Sequence, residues 1–249
     1  MEKFDYFNLF FLIILFLFLF IPIIYMLISP GNIVNAINNT FIESFKNTIL
    51  AGIVSTLLAL FFCVPAGYFL ARNNFKFKNF IEGIIDLPMA IPHSVIGIII
   101  LSSIYGISFL SFTQNYIIDN FWGIVVVYLF VGIPYMLSNV KDGFLSVDEN
   151  LEHVSRTLGA SKIKTFFEIS LPLIKPNLIS GIILCFARGI SEVGAILIVA
   201  YYPKTVPVLI LEEFTSFGID YSKPIAVIMI LFSMILFIIL RKFGQVKSN

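Results

Sequence analysis

The sequence predicts an all-α integral membrane protein with six transmembrane helices and a cytoplasmic helix-turn-helix loop. Of its 249 residues, 59% are hydrophobic and 12% are charged, and the mean hydropathy is +0.98. Soluble domains contain about 25% charged residues, and a soluble fold of this size cannot bury so much apolar surface. The composition therefore excludes a soluble globular protein and a disordered one. A net charge of +1 without a basic run predicts no nucleic-acid partner.

Six apolar stretches are interpreted as membrane spans, because a helix needs about 20 apolar residues to cross the hydrocarbon core. The first is longer than the apolar region of a signal peptide and is not followed by a cleavage site, so we interpret it as a retained helix. Residues 1–249 are thus predicted to form a single transmembrane domain in contact with membrane lipid. The predicted spans cover approximately residues 8–28, 48–71, 91–105, 122–137, 173–200 and 224–240.

The basic residues of the loops are distributed unevenly, and positive charge favours the cytoplasmic side of a membrane. One set of loops and termini carries twelve of them: Lys3, Arg72, Lys76, Lys78, Lys141, Arg156, Lys162, Lys164, Lys175, Arg241, Lys242 and Lys247. The opposite loops carry three, namely Lys46, Lys204 and Lys223. The asymmetry predicts a multi-pass protein of the cell membrane with both termini in the cytoplasm.

The cytoplasmic loop 139–171 has the pattern of a first short helix. Ser146 followed by Glu149 has the form of a capping box, which predicts that Ser146 is the N-cap. Gly159 can adopt the left-handed conformation that ends a helix. Between these residues, an apolar stripe is formed by Leu151, Val154 and Leu158.

A second short helix is predicted from Ser161 to Leu171, where Pro172 closes it. Its apolar face is predicted to contain Ile163, Phe166 and Phe167. Helices this short are unstable alone in water. We therefore expect both helices to dock on another surface.

This loop resembles the cytoplasmic "EAA" loop of the permease subunits of ABC importers. The family pattern is Glu-Ala-Ala followed by Gly and then Leu-Pro, and here His153 and Val154 replace the two alanines. The resemblance implies that the loop docks in a groove of a separate ATPase subunit. From its position alone, Glu152 is also compatible with a solvated charge in the first turn. The residues that the resemblance assigns to this ATPase-coupling loop are Glu152, His153, Val154, Leu158, Gly159, Ala160, Phe166, Leu171 and Pro172.

Further segments resemble the sulfate, molybdate and tungstate branch of these permeases. They are residues 65–72, 86–97 and 187–195, and the Ile-Pro-His form of the second is closest to archaeal molybdate/tungstate permeases. In the third segment, Ser191 replaces a usual Gly. The resemblance implies a type I ABC importer permease fold and a homodimer. It also implies two copies of an ABC ATPase subunit and an extracytoplasmic oxyanion-binding protein.

Five residues at membrane depth are candidates for a translocation pathway or gate. Arg188 and Glu192 are four positions apart and share a helix face, either as a self-neutralising pair or as a site that meets a passing oxyanion. His93 fits an interhelical hydrogen bond or a position on the substrate path. Pro88 and Pro92 leave carbonyl groups without helical partners, which fits a packed bend or a flexible lining of the path.

The predicted function is uptake of an oxyanion, molybdate or tungstate, by alternating access driven by ATP. The sequence contains no phosphate-binding loop of the form G-x-x-x-x-G-K-[ST]. We therefore expect a transport subunit with no catalytic, cofactor or metal site, and ATP and Mg²⁺ used by the partner subunit. The alternative is an ion-coupled secondary transporter or channel that uses Arg188, Glu192 and His93.

Overall fold

The structure is a computed structural model that describes residues 3–244, with side chains described for residues 5–238. Within these residues all regular structure is helical, which confirms the predicted all-α class. A 3₁₀ turn covers Ser111–Thr113 and a π-helical turn covers Phe166–Ser170. The α-helices are α1 (Lys3–Ile28), α2 (Ile33–Ala36), α3 (Asn39–Arg72), α4 (Lys78–Ala90), α5 (His93–Gly106), α6 (Gln114–Ile117), α7 (Phe121–Ser146), α8 (Glu149–Thr157), α9 (Lys162–Thr165), α10 (Leu171–Leu173), α11 (Lys175–Ile190), α12 (Ile196–Val199), α13 (Val206–Phe217) and α14 (Ile219–Gly244).

Membrane-spanning length is reached by four helices of the described chain. They are α1 over Asp5–Ile28, α3, α7, and α14 over Ile219–Ile238. Two further apolar pairs are bent, α4 with α5 by 117° and Lys162–Leu173 with α11 by 71°. By length and composition the described residues thus provide four to six spans. Of the basic residues used for orientation, Lys247 lies outside the described residues, and the side chains of Lys3, Arg241 and Lys242 are also outside the described set.

The predicted fifth span, 173–200, is wrong as a single helix. Helix α11 ends at Ile190, and a non-helical turn separates it from the short helix α12. Side chains in the turn bond the backbone and so compete with the helix. The Ser191 hydroxyl donates to the carbonyl of Arg188 at 3.0 Å, and the Glu192 carboxylate accepts from the amide of Ala195 at 3.1 Å.

The core of the molecule lies where α3, α7 and α11 pack together. Small residues allow these helices to approach closely, as is usual in membranes. A Cβ added to Gly67 would lie 2.6 Å from Val140 Cγ1, and one added to Gly132 would lie 2.6 Å from Cys185 Sγ. The backbones of the three helices therefore approach closely, and the remaining helices pack around them.

Helix α1 lies apart from this core. None of its apolar segment Asp5–Ile28 is buried within the chain, and the helix packs against α14. An apolar helix with this much exposed surface is stable in a membrane, because lipid tails are as apolar as its side chains.

Candidate functional site

Helices α8 and α9 form a helix-turn-helix at one end of the bundle, next to the C-terminal ends of α3 and α7. The turn is at Gly159, which has a φ of +92° and donates its amide to the carbonyl of Arg156 at 3.0 Å. The left-handed conformation predicted for Gly159 is therefore confirmed. Ser161 begins the next helix, as predicted, and its hydroxyl accepts from the amide of Lys164 at 3.2 Å.

The predicted capping box at Ser146 is wrong. Ser146 is the last residue of α7, and its hydroxyl donates to the carbonyl of Gly143 at 2.7 Å. Asp148 is the N-cap of α8 instead, and its carboxylate accepts from the amide of Asn150 at 2.9 Å. The N-cap lies two residues later than predicted because α7 extends beyond its apolar stretch to Ser146. Aspartate is an equally good N-cap residue.

The prediction that Pro172 closes the second helix is also wrong. The chain passes through a π-helical turn, in which the amide of Leu171 donates to the carbonyl of Phe166, five residues earlier. Proline cannot donate to a normal helical carbonyl, but here the bonding pattern is already displaced. Pro172 therefore lies within α10, and the chain bends after Leu173.

Phe166 does not share the apolar face predicted for it with Ile163 and Phe167. Its ring packs inward, with its centroid 4.9 Å from that of Tyr68 and 5.9 Å from that of Phe144. The rotation follows from the π turn, which changes the angular position of each side chain. Ile163 and Phe167 remain outside, 72% and 60% exposed.

The outward face of α8 and α9 is an apolar groove. Leu158 is 84% exposed and Val154 is 56% exposed. A cavity of about 560 Å³ is lined by these side chains together with Leu151, Gly159, Ala160 and Lys164. His153 and Pro172 are also exposed, whereas Leu171 is half-buried. Exposed apolar surface of this kind marks an interaction site.

Glu152 points away from this groove into the protein. Its carboxylate accepts hydrogen bonds from Tyr68 Oη at 2.8 Å, Arg72 Nε at 2.9 Å and Arg72 Nη2 at 2.8 Å. A fourth bond comes from Ser170 Oγ at 2.9 Å. The interpretation of Glu152 as a solvated charge is therefore wrong, since the residue is buried.

The ionised form of Glu152 is stabilised by these donors. Burial raises the pKa of the carboxyl, but the hydrogen bonds from Arg72, Tyr68 and Ser170 outweigh it, so the pKa lies below the usual value of 4.5. The carboxylate is thus charged at neutral pH and requires its partners.

Arg72 joins this carboxylate to the end of α7. Its Nη1 donates to the carbonyl of Phe144 at 2.7 Å, and its Nη2 donates to the carbonyl of Val147 at 3.1 Å. Carbonyl groups at a helix C-terminus have no helical partner and favour a cation. Sequence reasoning missed Arg72 and Tyr68 as partners of Glu152. Their spacing of four residues on one helix face, just before a basic loop, was the available signal.

A second polar cluster joins the start of α5 to the end of α11. The carboxylate of Glu192 lies 2.7 Å from His93 Nδ1 and 3.1 Å from Arg188 Nη2, and Arg188 Nη2 lies 2.6 Å from His93 Nδ1. Glu192 is 1% exposed and the His93 side chain is 48% exposed. The structure thus brings together three of the five predicted pathway residues.

The remaining two pathway candidates mark the bend between α4 and α5. Pro88 lies inside α4, and Pro92 is the N-cap of α5 with a ψ of 140°. Pro92 is exposed and Pro88 is half-buried within the chain.

Comparison with known proteins identifies the family. Residues 63–246 match the family of the binding-protein-dependent transport system inner membrane component, a range that contains both polar clusters and the groove. The chain belongs to this family. As an inner membrane component it is a transport subunit rather than an enzyme, and it resides in the membrane.

Relatives of this inner membrane component are similar along most or all of its length. The chain is 67% identical over 249 residues to a molybdate/tungstate transport system permease protein of Methanocaldococcus jannaschii, with 100% of both chains covered. It is 49% identical over 208 residues to the protein of that name from Pyrococcus abyssi, with 83% of this chain and 80% of the relative covered.

The fold of this inner membrane component is also found in a solved transporter. A chain of a bacterial alginate ABC transporter, in complex with an alginate pentasaccharide-bound periplasmic protein, superposes with a TM-score of 0.73. The identity is 18%, and 96% of this chain and 92% of that chain are covered. The predicted permease fold is confirmed by this likeness.

Proposed function

We propose that this chain is the membrane-spanning permease of an ATP-driven importer that takes up molybdate or tungstate from a solute-binding protein. The two relatives carry that substrate in their names and match most or all of the chain. The observation that supports ATP-driven transport is the apolar groove on α8 and α9, because it offers a docking surface for a separate ATPase.

The groove has the properties of a protein-docking surface. Leu158 and Val154 are exposed at the tip of two helices that are too short to be stable alone. Gly159 has no side chain, and no atom lies within 4 Å of where its Cβ would be. A partner can therefore approach the backbone of the turn closely and bury the apolar stripe.

In the proposed assembly, each bent pair counts as one span and the chain crosses the membrane six times. The groove and both termini face the cytoplasm, where the basic residues are concentrated. A single copy leaves Val95, Ile98 and Ile99 of α5 exposed, and a second copy related by two-fold symmetry would cover such a face. The complex then contains two permeases, two ATPase subunits and one external binding protein.

The bends in the two broken helix pairs support a mechanism of alternating access. Closure of the ATPase pair on ATP would draw the two grooves together. The chain already turns by 117° near Pro92 and by 71° after Leu173, so helices on either side of these points can rotate as rigid bodies. We propose that this rotation opens the external gate and closes the cytoplasmic one.

The cluster of His93, Arg188 and Glu192 is proposed to lie on the anion pathway. Arg188 attracts an oxyanion, while the buried carboxylate of Glu192 offsets its charge. A conducting path needs sites that bind weakly enough to release the ion. The Arg188–Glu192 pair therefore attracts the anion but does not bind it too tightly for release. The exposed ring of His93 is the group that a passing anion would meet first.

Reconstitution tests this function. The permease, with and without its ATPase and binding protein, is placed in liposomes, and uptake of molybdate, tungstate and sulfate is measured by mass spectrometry. Uptake of molybdate or tungstate should require both partners and ATP. Uptake by the isolated chain under an ion gradient would establish the secondary transporter instead, and uptake of sulfate alone would refute the proposed substrates.

A pair of glycine variants tests the docking surface. Gly159→Phe should abolish both co-purification of the ATPase and uptake, with the protein still monodisperse in detergent. Gly218→Phe is the matched control, because Gly218 also has a positive φ, +88°, and open space at its Cβ position. It places the same bulky side chain at a positive-φ glycine away from the groove, so the ATPase should still co-purify. Equal retention of the ATPase by both variants would contradict docking at α8 and α9.

A further inference from the structure

Helix α8 presents two chemically different faces. Leu151, Val154 and Leu158 form the outward groove, whereas Glu152 is buried against α3. Arg72 and Glu152 are 80 residues apart in the chain, so their contact is a purely tertiary one. The inward face is therefore built for contact with the membrane helices and not for the partner.

Four helical segments meet at the Glu152 carboxylate. Tyr68 and Arg72 come from the last turn of α3, and Ser170 comes from the π turn that leads to α11. Through Arg72, the carboxylate is also tied to the terminal carbonyls of α7. We define these residues, Glu152, Arg72, Tyr68 and Ser170, as the loop joint.

We propose that the loop joint, and above all the Arg72–Glu152 pair, transmits movement of α8 to the membrane helix α3. This rests on the proposed function, in which the ATPase moves α8. Glu152 and Arg72 are then positioning residues, which carry force within the permease. The backbone links α8 directly to α7 and α9, whereas its hydrogen bonds and ion pairs with α3 are made through Tyr68 and Arg72.

The geometry suits this role because the joint is rigid in more than one direction. Charge-assisted hydrogen bonds are short and strong, and breaking one partner of a buried pair leaves an unpaired charge. Four donors from two segments, α3 and the π-helical turn, fix both the distance and the orientation of α8. By contrast, Lys164 and Glu168 form an ion pair at 3.9 Å in which both side chains are about 60% exposed. Exposed ion pairs of this kind are weak and do not fix the orientation of a helix.

The placement of Glu152 also separates two roles for an acidic residue at this position. A carboxylate that contacts the ATPase would have to face the groove. Here the carboxylate faces α3 and the π-helical turn, and the pair with Arg72 is mostly buried. The loss of Glu152 should therefore leave the binding of the ATPase intact and lower the uptake that is driven by each ATP.

The test measures attachment and transport separately in the reconstituted complex. Glu152→Gln, Arg72→Gln and the double variant are compared with Lys223→Gln, which removes an exposed hydrogen bond to Ser29 that lies away from both the groove and the joint. Each joint variant should bind the ATPase as the wild type does and hydrolyse ATP. The amount of tungstate taken up per ATP should fall by about 5- to 150-fold, the range of typical coupling energies, and the double variant should be no worse than either single one.

Milder variants keep the proposal testable if the charge variants do not fold. Tyr68→Phe and Ser170→Ala each remove one donor and keep the packing, so each should lower uptake per ATP by a smaller factor. Loss of ATPase binding in Glu152→Gln but not in Arg72→Gln would show that Glu152 contacts the partner, and the proposal would be overturned. Unchanged uptake per ATP in every joint variant would overturn it as well. Absence of ATPase binding by the wild type would instead reject the proposed function.

Discussion

The substitution Leu158→Ala tests how much of the docking energy comes from the apolar groove. Leu158 is 84% exposed in the isolated chain, so its truncation costs the permease itself little. If the ATPase covers this side chain completely, the lost burial weakens the complex. The change removes three carbon atoms from a site that only the partner can desolvate.

The magnitude follows from the exposed fraction. Burial of apolar carbon contributes about 0.8 kcal/mol per CH₂ group, which gives about 2 kcal/mol for three carbons scaled by the exposed fraction of Leu158. Because 1.4 kcal/mol corresponds to tenfold in affinity, the dissociation constant should rise about 30-fold. Val154→Ala removes two carbons from a side chain that is 56% exposed, so the same reasoning gives about fivefold.

The assay is titration of the ATPase onto the permease in lipid nanodiscs. Leu57→Ala is the control, since Leu57 is also exposed, by 60%, but lies in the middle of α3. It should leave the dissociation constant within about twofold. An unchanged dissociation constant for Leu158→Ala, or the reverse order of Leu158 and Val154, would refute the groove as the docking surface.

Three further predictions concern the bundle and its polar clusters. Gly67→Ala should lower the thermal midpoint in detergent, because its Cβ would meet Val140 at 2.6 Å at a cost of about 1–3 kcal/mol; Gly83→Ala, with open space around it, should not. The free energy of unfolding of the wild type should exceed that of Glu152→Gln by a constant amount above pH 5, and this difference should shrink as the pH falls below about 4.5. The reason is that folding lowers the pKa of the Glu152 carboxyl. A difference that grows in acid contradicts this. Glu192→Gln should lower both the KM and the maximal rate of oxyanion uptake, because the uncompensated Arg188 holds the anion longer; a raised KM would place the cluster off the pathway.

Much of the local structure is determined by short-range patterns. The apolar stretches predict the spans because their length and composition match the membrane. Gly159 ends α8 because only glycine adopts a φ of +92° without strain. The spacing of Arg188 and Glu192 predicts their ion pair, which forms at 3.1 Å even though the helix ends between them.

Packing between distant segments decided the rest. The break after Ile190 follows from side-chain bonds to the backbone and from the close approach of Gly194, whose Cβ would lie 3.0 Å from that of His93. A hydropathy pattern contains no information on such contacts. The fifth predicted span therefore ran through a turn that belongs to the second polar cluster.

The direction of Glu152 is the clearest case. Its motif predicts that it is important but not which way it faces, because a helix of nine residues can rotate about its axis to present either side. The choice was made by Arg72, a positive charge at the end of α3 that also donates to two carbonyls at the C-terminal end of α7. The sequence by itself thus determined a membrane bundle with a short helical pair at one end. Only the tertiary structure decided which face of that pair is fastened to the bundle and which is left open, because charges far apart in the chain meet only after the helices have packed.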